Sequence, residues 1–421
     1  MTTTAQNLAT PPGVLENRHT MEGLRFACIR LMELASAVLV GIDDTDTKIA
    51  LSQDVWILAQ CAETIGERLP GLRSHAEAAT PISDAFVHFS NDLAAEPDPV
   101  DRLDLLTRAA YPDLRAAVAA HIARLDPLAD EDSRECLDLV LDRLGTLHRA
   151  PAGPGERPDT PSPLFEACSR PHAGPGRLTA ADCTAAMAGI PVRPGRDPRL
   201  REHRPGVDPA SVGELSSSYE ITAPLHDVAF KIELCAAEIC ATILALHPEA
   251  PWGLRYDLAK QVRDEGRHFE LLIARMRELG GSVGAYPVRY QIWDKFRLGR
   301  TLAERITIEQ RLGEGVGLDG GLRVYRWLRS IGDDRTALIF DYINADEVTH
   351  VGNANRWLEE LLGSAEAVRR LDEHVRELLA DGGMGVRHVI PINAEDRALS
   401  GFSPEEIGEL QRAWQRERAA H

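Results

Sequence analysis

The chain has 421 residues, 44% of them hydrophobic and 5% aromatic, with a formal charge of −18 and a pI near 5.3. That length supports two or three domains with sizeable cores, and the Ala, Leu, Arg and Glu bias favours helix over sheet. The acidic balance argues against nucleic acid or an anionic membrane as partner, and no apolar run reaches 18 residues, so a cytoplasmic protein with no membrane segment is expected.

Residues 1–16 are polar, include Pro11-Pro12 and read as disordered. Residues 17–150 carry apolar-periodic segments at Leu24 to Val40, Ile49 to Leu72, Pro99 to Leu125 with an interruption at Pro112, and Glu131 to His148. Four such segments predict an N-terminal helical bundle. Its second and fourth helices lack a Glu-x-x-His pair, so it reads as metal-free, a degenerate copy of the C-terminal bundle or an unrelated helical domain. Residues 151–218 are dense in Pro and Gly and read as a linker or an irregular strap.

Periodicity returns with helices expected at 219–247, 254–280, 299–331 (with a break considered at Gly317 to Gly321), 334–363 and 365–380. Gly280-Gly281 ends the second of these, and Ser282 to Arg297 forms a long connection to the third. Short outer loops and one long crossover predict a second four-helix bundle over 219–380, with 381–421 as a tail packing on it. The seven cysteines are odd in number and form no Cys-x-x-Cys, which argues against disulfides and structural zinc.

Chemistry concentrates in a repeated pentad, Asp264-Glu265-Gly266-Arg267-His268 and Asp346-Glu347-Val348-Thr349-His350. Spacing of i, i+3 puts Glu and His on one helix face, a turn apart, where both reach one metal. A lone Glu-x-x-His on a helix is usually a solvated face. Here the pairs continue the apolar stripes Phe269, Leu272, Met276 and Phe340, Ile343, Ala354, Trp357, where an unpaired charge is costly. One carboxylate is expected from each remaining helix: Glu233 or Glu238, and Glu309 or Glu314. Residues five apart in an α-helix diverge by about 140°, so only one of each pair is expected to face the site. Glu233 precedes Glu265 by 32 and Glu314 precedes Glu347 by 33, whereas Glu238 and Glu309 give 27 and 38. The matched intervals select Glu233 and Glu314, with Glu309 as the fallback.

The order Glu, Glu-x-x-His, Glu, Glu-x-x-His resembles the ferritin-like di-iron carboxylate superfamily. More narrowly, Lys231 to Glu238, Asp264 to Phe269, Glu314-Gly-Val-Gly-Leu-Asp319, Asp346 to Val351, and the tail from Pro391-Ile-Asn393 to Arg397 with Gly401-Phe402 are similar to an uncharacterised bacterial ferritin-like family over about 219–405. The resemblance implies two iron ions held by Glu233, Glu265, His268, Glu314, Glu347 and His350, with O2 as co-substrate. It favours Glu314 over Glu309. It also implies that Asp264 and Asp346 accept the N–H of a ligand His on a neighbouring helix, with Arg263 or Arg267 beside them. Gly315-Val316 is smaller than the family pattern and is expected to open space beside the metals.

The expected function is an O2-dependent oxygenase or oxidase acting on a small organic substrate by hydroxylation, desaturation or N-oxidation, served by an electron donor. A ferroxidase or iron-handling protein, an RNA-modifying di-iron hydroxylase and a structural protein on the same bundle are the alternatives, and a homodimer is among the assemblies allowed. His388 reads as a packing or surface residue before a pocket residue. Tyr290 and Trp293 read as core before cover, and Tyr342 points off the ligand face.

Overall fold

The computed structural model describes residues 11–148, 162–171, 176–202, 221–386 and 390–419. His388, parts of the Pro/Gly stretch (151–161, 172–175 and 203–218) and residues 1–10 lie outside these. The protein is all-α. Among the described residues the only β feature is an isolated bridge between Glu202 and Val288. No helix is long and apolar enough to cross a membrane, and all seven cysteines are free thiols, five of them buried.

The chain forms two compact units. The first draws its described residues from Met1–Ile42, Asp46–Gly189 and Leu244–Ala259; the second draws from Asp43–Thr45, Ile190–Ile243 and Lys260–His421. In the first lie α1 (Val14–Gly41), α2 (Thr45–Arg68), α3 (Asp84–Ala95), α4 (Pro99–Leu105), α5 (Tyr111–Arg124), α6 (Glu131–Leu144) and α7 (Pro163–Ser169). Helix α1 begins inside the stretch expected to be disordered and is buried on all sides from Met21 to Val40, apart from Glu22. Its ionic residues are matched: Arg25 donates to the Glu77 and Ala62 carbonyls at 2.7 and 3.1 Å, and Glu33 takes guanidinium contacts from Arg30 and Arg255. Arg255 and Trp252 belong to Leu244–Ala259, a stretch the sequence pattern assigns to the other bundle. Pro112 does not break its helix. A π turn, Leu106–Ala110, precedes it, and such a widened turn relieves the missing N–H and the ring clash.

The second unit contains α8 (Thr222–Val228), α9 (Leu234–Leu246, shared with the first), α10 (Trp252–Glu278, likewise shared), α11 (Gln291–Phe296), α12 (Leu302–Ile306), α13 (Glu314–Ser330), α14 (Asp334–Leu362), α15 (Ala365–Asp381), α16 (Ala394–Leu399) and α17 (Pro404–Ala419). A π turn, Ala229–Glu233, fuses α8 to α9; a longer one, Thr307–Gly313, fuses α12 to α13. Four long helical runs result. A Thr301–Glu304 capping box starts the third. Asp333 caps α14 by accepting from the Thr336 amide, and Gly363, at φ +81°, ends it in the left-handed region. Helix α13 runs unbroken through Gly317 to Gly321. At Gly321 a Cβ would lie 1.8 Å from Asn344 Oδ1 on α14, so a larger residue there would have to displace the Asn344 side chain.

Candidate metal centre

Six side chains on the four long runs converge in the second unit. Glu233 comes from the first π turn, Glu265 and His268 from α10, Glu314 from the first residue of α13, Glu347 and His350 from α14. All six are buried. Their ligand atoms form two groups within 4.8 Å: Glu233, Glu265, His268, Glu347, and Glu265, Glu314, Glu347, His350. Glu265 and Glu347 belong to both. Two overlapping groups that share two carboxylates have the donor set of a paired-metal site.

Each imidazole is aimed by the opposite pentad. His268 Nε2 lies 3.0 Å from Asp346 Oδ2, and His350 Nε2 lies 3.4 Å from Asp264 Oδ2. An ionised carboxylate only accepts, so Nε2 carries the proton in both rings. Nδ1 therefore faces the carboxylates: His268 Nδ1 is 3.1 Å from Glu233 and 3.2 Å from Glu265, and His350 Nδ1 is 3.2 Å from Glu265. Arg267 spans both aspartates, while Arg263 pairs with Glu270 at 3.1 Å instead. Gln261, not foreseen from the sequence, donates from Nε2 to Glu265 and Glu314 at 3.2 and 3.1 Å. It sits one turn before Glu265 on the ligand face, so its position was readable.

The electrostatics of the group favour a cation among its carboxylates. Burial pushes the Glu233 carboxyl up to about 8 despite His268, and burial plus repulsion from Glu265 pushes Glu309 to about 8. Burial and the charges of Glu347 and Glu265 raise Glu314 well above the carboxylate range. Burial also disfavours the charged form of Glu265, yet hydrogen bonds from His268 and His350 hold it well below that range. Burial opposes both imidazoliums, but the carboxylates around them raise both, Asp346, Glu233 and Glu265 at His268 and Asp264, Glu265 and Glu347 at His350. Glu347 Oε2 and His350 Nδ1 are buried without an aligned hydrogen-bond partner. Buried polar atoms left in that state are costly unless a cation joins them, and a pair of divalent ions fits this set.

The third helix corrects one expectation. The Glu314 amide donates to the Glu309 carbonyl, an i to i−5 bond. In a π turn residues five apart stack, so both glutamates face inward. Glu314 joins a group that could hold a metal ion; Glu309 lies beside it as a buried wall residue. Glu238 is turned away onto Arg196. Gly315 does not open space beside the site either: a Cβ there would lie 3.1 Å from Arg397 Nη1. Arg397 clamps α13 through Asp319 at 2.7 Å and the Gly315 carbonyl at 2.6 Å, and Asn393 donates its amide to Asp319. The tail motif thus fixes the helix one turn after Glu314.

A cavity of about 490 Å³ opens beside Glu233, Glu309, Glu314 and Glu347. Its wall is mostly apolar, with Ile232, Ile292, Ile308, Leu312 and Phe340, and Gly317, Gly320 and Gly321 give it width. Trp293 is core: its indole N–H donates to the Pro191 carbonyl at 3.2 Å. Tyr290 is buried beneath the guanidiniums of Arg193 and Arg196. Tyr342 is exposed.

No curated protein and no solved structure matches the chain. A family model described as "Protein of unknown function (DUF455)" matches residues 169–408, more than half of the chain and every residue of the centre. The chain belongs to that family.

Proposed function

We propose that this protein is an O2-dependent non-haem di-iron oxidoreductase, an oxygenase or oxidase built on a ferritin-like bundle and acting on a small organic molecule. Glu233, Glu265, His268, Glu314, Glu347 and His350 hold the iron pair. Such a pair supplies two-electron exchange with O2 when bound. Asp264 and Asp346 keep the imidazole protons on Nε2 and so leave Nδ1 free to ligate. Gln261 donates to both Glu265 and Glu314 and so orients the two carboxylates. The apolar wall excludes water and receives the organic substrate.

The observation that carries this reading is the largely apolar cavity beside the doubled carboxylate group. Iron handling needs a polar route for ions; a wall of Ile, Leu and Phe favours an organic substrate. The test is O2 consumption by protein reconstituted anaerobically with Fe(II) and supplied with a reductant. Wild type is expected to consume O2 with electrons from the reductant, and His350→Ala to reduce the rate by about 100-fold or more. Equal rates in the two proteins contradict the assignment.

A further inference from the structure

We propose that the cavity takes an organic acid, with its apolar body against the aliphatic wall and its carboxylate on the ammonium of Lys295. The inference rests on reading the cavity as the substrate space of the metal centre, and it names the chemical class of that substrate.

The chain has only four lysines, and two of them line this cavity, with Arg323 as the other cation on its wall. They are not equivalent. Lys231 is paired with Asp227 at 3.1 Å. Arg323 is exposed. Lys295 is half-buried, and among the described residues no carboxylate lies within ion-pair distance of it. Burial pushes its ammonium below the ordinary lysine range, and the nearest opposing influence is the charge of Glu309 on the same wall. A partly desolvated cation held in no direct ion pair is a ready site for an anion.

Helix α11 fixes that placement. Trp293 and Phe296 are fully buried on one side, and the Trp293 indole is tied to Pro191. The opposite side presents Gln291, Ile292 and Lys295 to the cavity. Aliphatic residues and glycines make up most of the rest of the wall, and its acids, Glu233, Glu309, Glu314 and Glu347, are those of the metal centre and its neighbour, so Lys295 is the cation placed to orient an anionic ligand, as a few polar groups do in apolar sites generally. The cavity volume of about 490 Å³ lies within the range of sites that bury a small organic molecule.

The test uses octanoate, octanol and octylamine as probes. Calorimetry on the full-length chain, before and after EDTA removes bound metal, gives the affinities. Octanoate is expected to bind about tenfold or more tightly than either other probe in both preparations. Lys295→Gln and Lys295→Met should bring octanoate to the level of octanol, Lys295→Arg should keep the preference, and Lys231→Gln should leave it intact. Circular dichroism checks the fold of each variant, and the probe ranking in wild type stands without any variant. Equal affinity for octanoate and octanol, a preference for octylamine, no octanoate binding, or a preference unchanged by Lys295→Gln overturns the inference. Iron counted in the same samples separates the two readings. Octanoate bound through Lys295 without iron uptake removes the metal centre and keeps the acid site; iron uptake with octanoate indifferent to Lys295 does the reverse.

Discussion

Asp264 and Asp346 are the residues whose neighbours assign their task most directly, since each holds the histidine of the opposite pentad. Burial works against the charge of both, yet hydrogen bonds from His350 and Lys260 lower Asp264, and those from His268 and Arg267 bring Asp346 to about 2. Asp346→Asn and Asp264→Asn should each weaken metal binding by about 10- to 100-fold at unchanged helix content, measured by metal titration with circular dichroism. A second residue-scale prediction lies outside the centre. His121 is fully buried, with Nε2 at 2.7 Å from Asn17 Oδ1, and burial pulls its pKa down to about 4. The unfolded chain binds this proton near 6.5, so the stability His121 contributes is complete above that pH and is lost as pH falls towards 4. The loss is about 3 kcal/mol at most. His121→Gln, which cannot titrate, should therefore lose less stability than wild type between pH 7 and 4 in urea melts.

Among the helices, the π turns of the second unit matter most. These two fall in the helices that supply a single glutamate, and the longer one brings Glu309 and Glu314 onto one face. Glu314→Ala should remove metal binding, whereas Glu309→Ala should leave the metal count intact; iron analysis of the two variants decides. This is also where sequence reading stopped short. The stripes and offsets that select Glu233, Glu265, His268, Glu347 and His350 follow from regular 3.6-residue periodicity, and the structure groups those residues. A π turn adds one residue to a single turn and leaves no periodic trace, so the rotation between Glu309 and Glu314 was not readable. Helix α3 was missed for another reason. Phe86, Val87, Ser90, Leu93 and Ala94 form a good stripe, but it is short and bounded by Pro81 and Pro97. At Gly321 the close approach of Asn344 makes a further prediction: Gly321→Ala should destabilise the protein by about 1–3 kcal/mol in chemical melts, and pairing it with Asn344→Ala should recover most of the loss.

Over the whole molecule, the division into units does not follow the Pro/Gly stretch. Leu244–Ala259 belongs to the first unit, where Arg255 meets Glu33 and Trp252 meets Glu63, although α9 and α10 also carry residues of the second. Composition marked the Pro/Gly stretch as a boundary; it held no sign that a hairpin end from one bundle would complete the core of another. A chain cut at an engineered protease site at residue 161 should migrate as one species in gel filtration, because the C-terminal fragment still supplies Arg255 and Trp252. Two separately migrating soluble fragments would contradict this. The central claim is that one chain holds two metals through carboxylates shared between them, and the most direct measurement is iron per chain after anaerobic Fe(II) reconstitution and desalting. The account predicts about two irons per wild-type chain and a loss of both in Glu347→Ala, which removes a shared carboxylate. One iron or none in wild type, or two retained in Glu347→Ala, would contradict it.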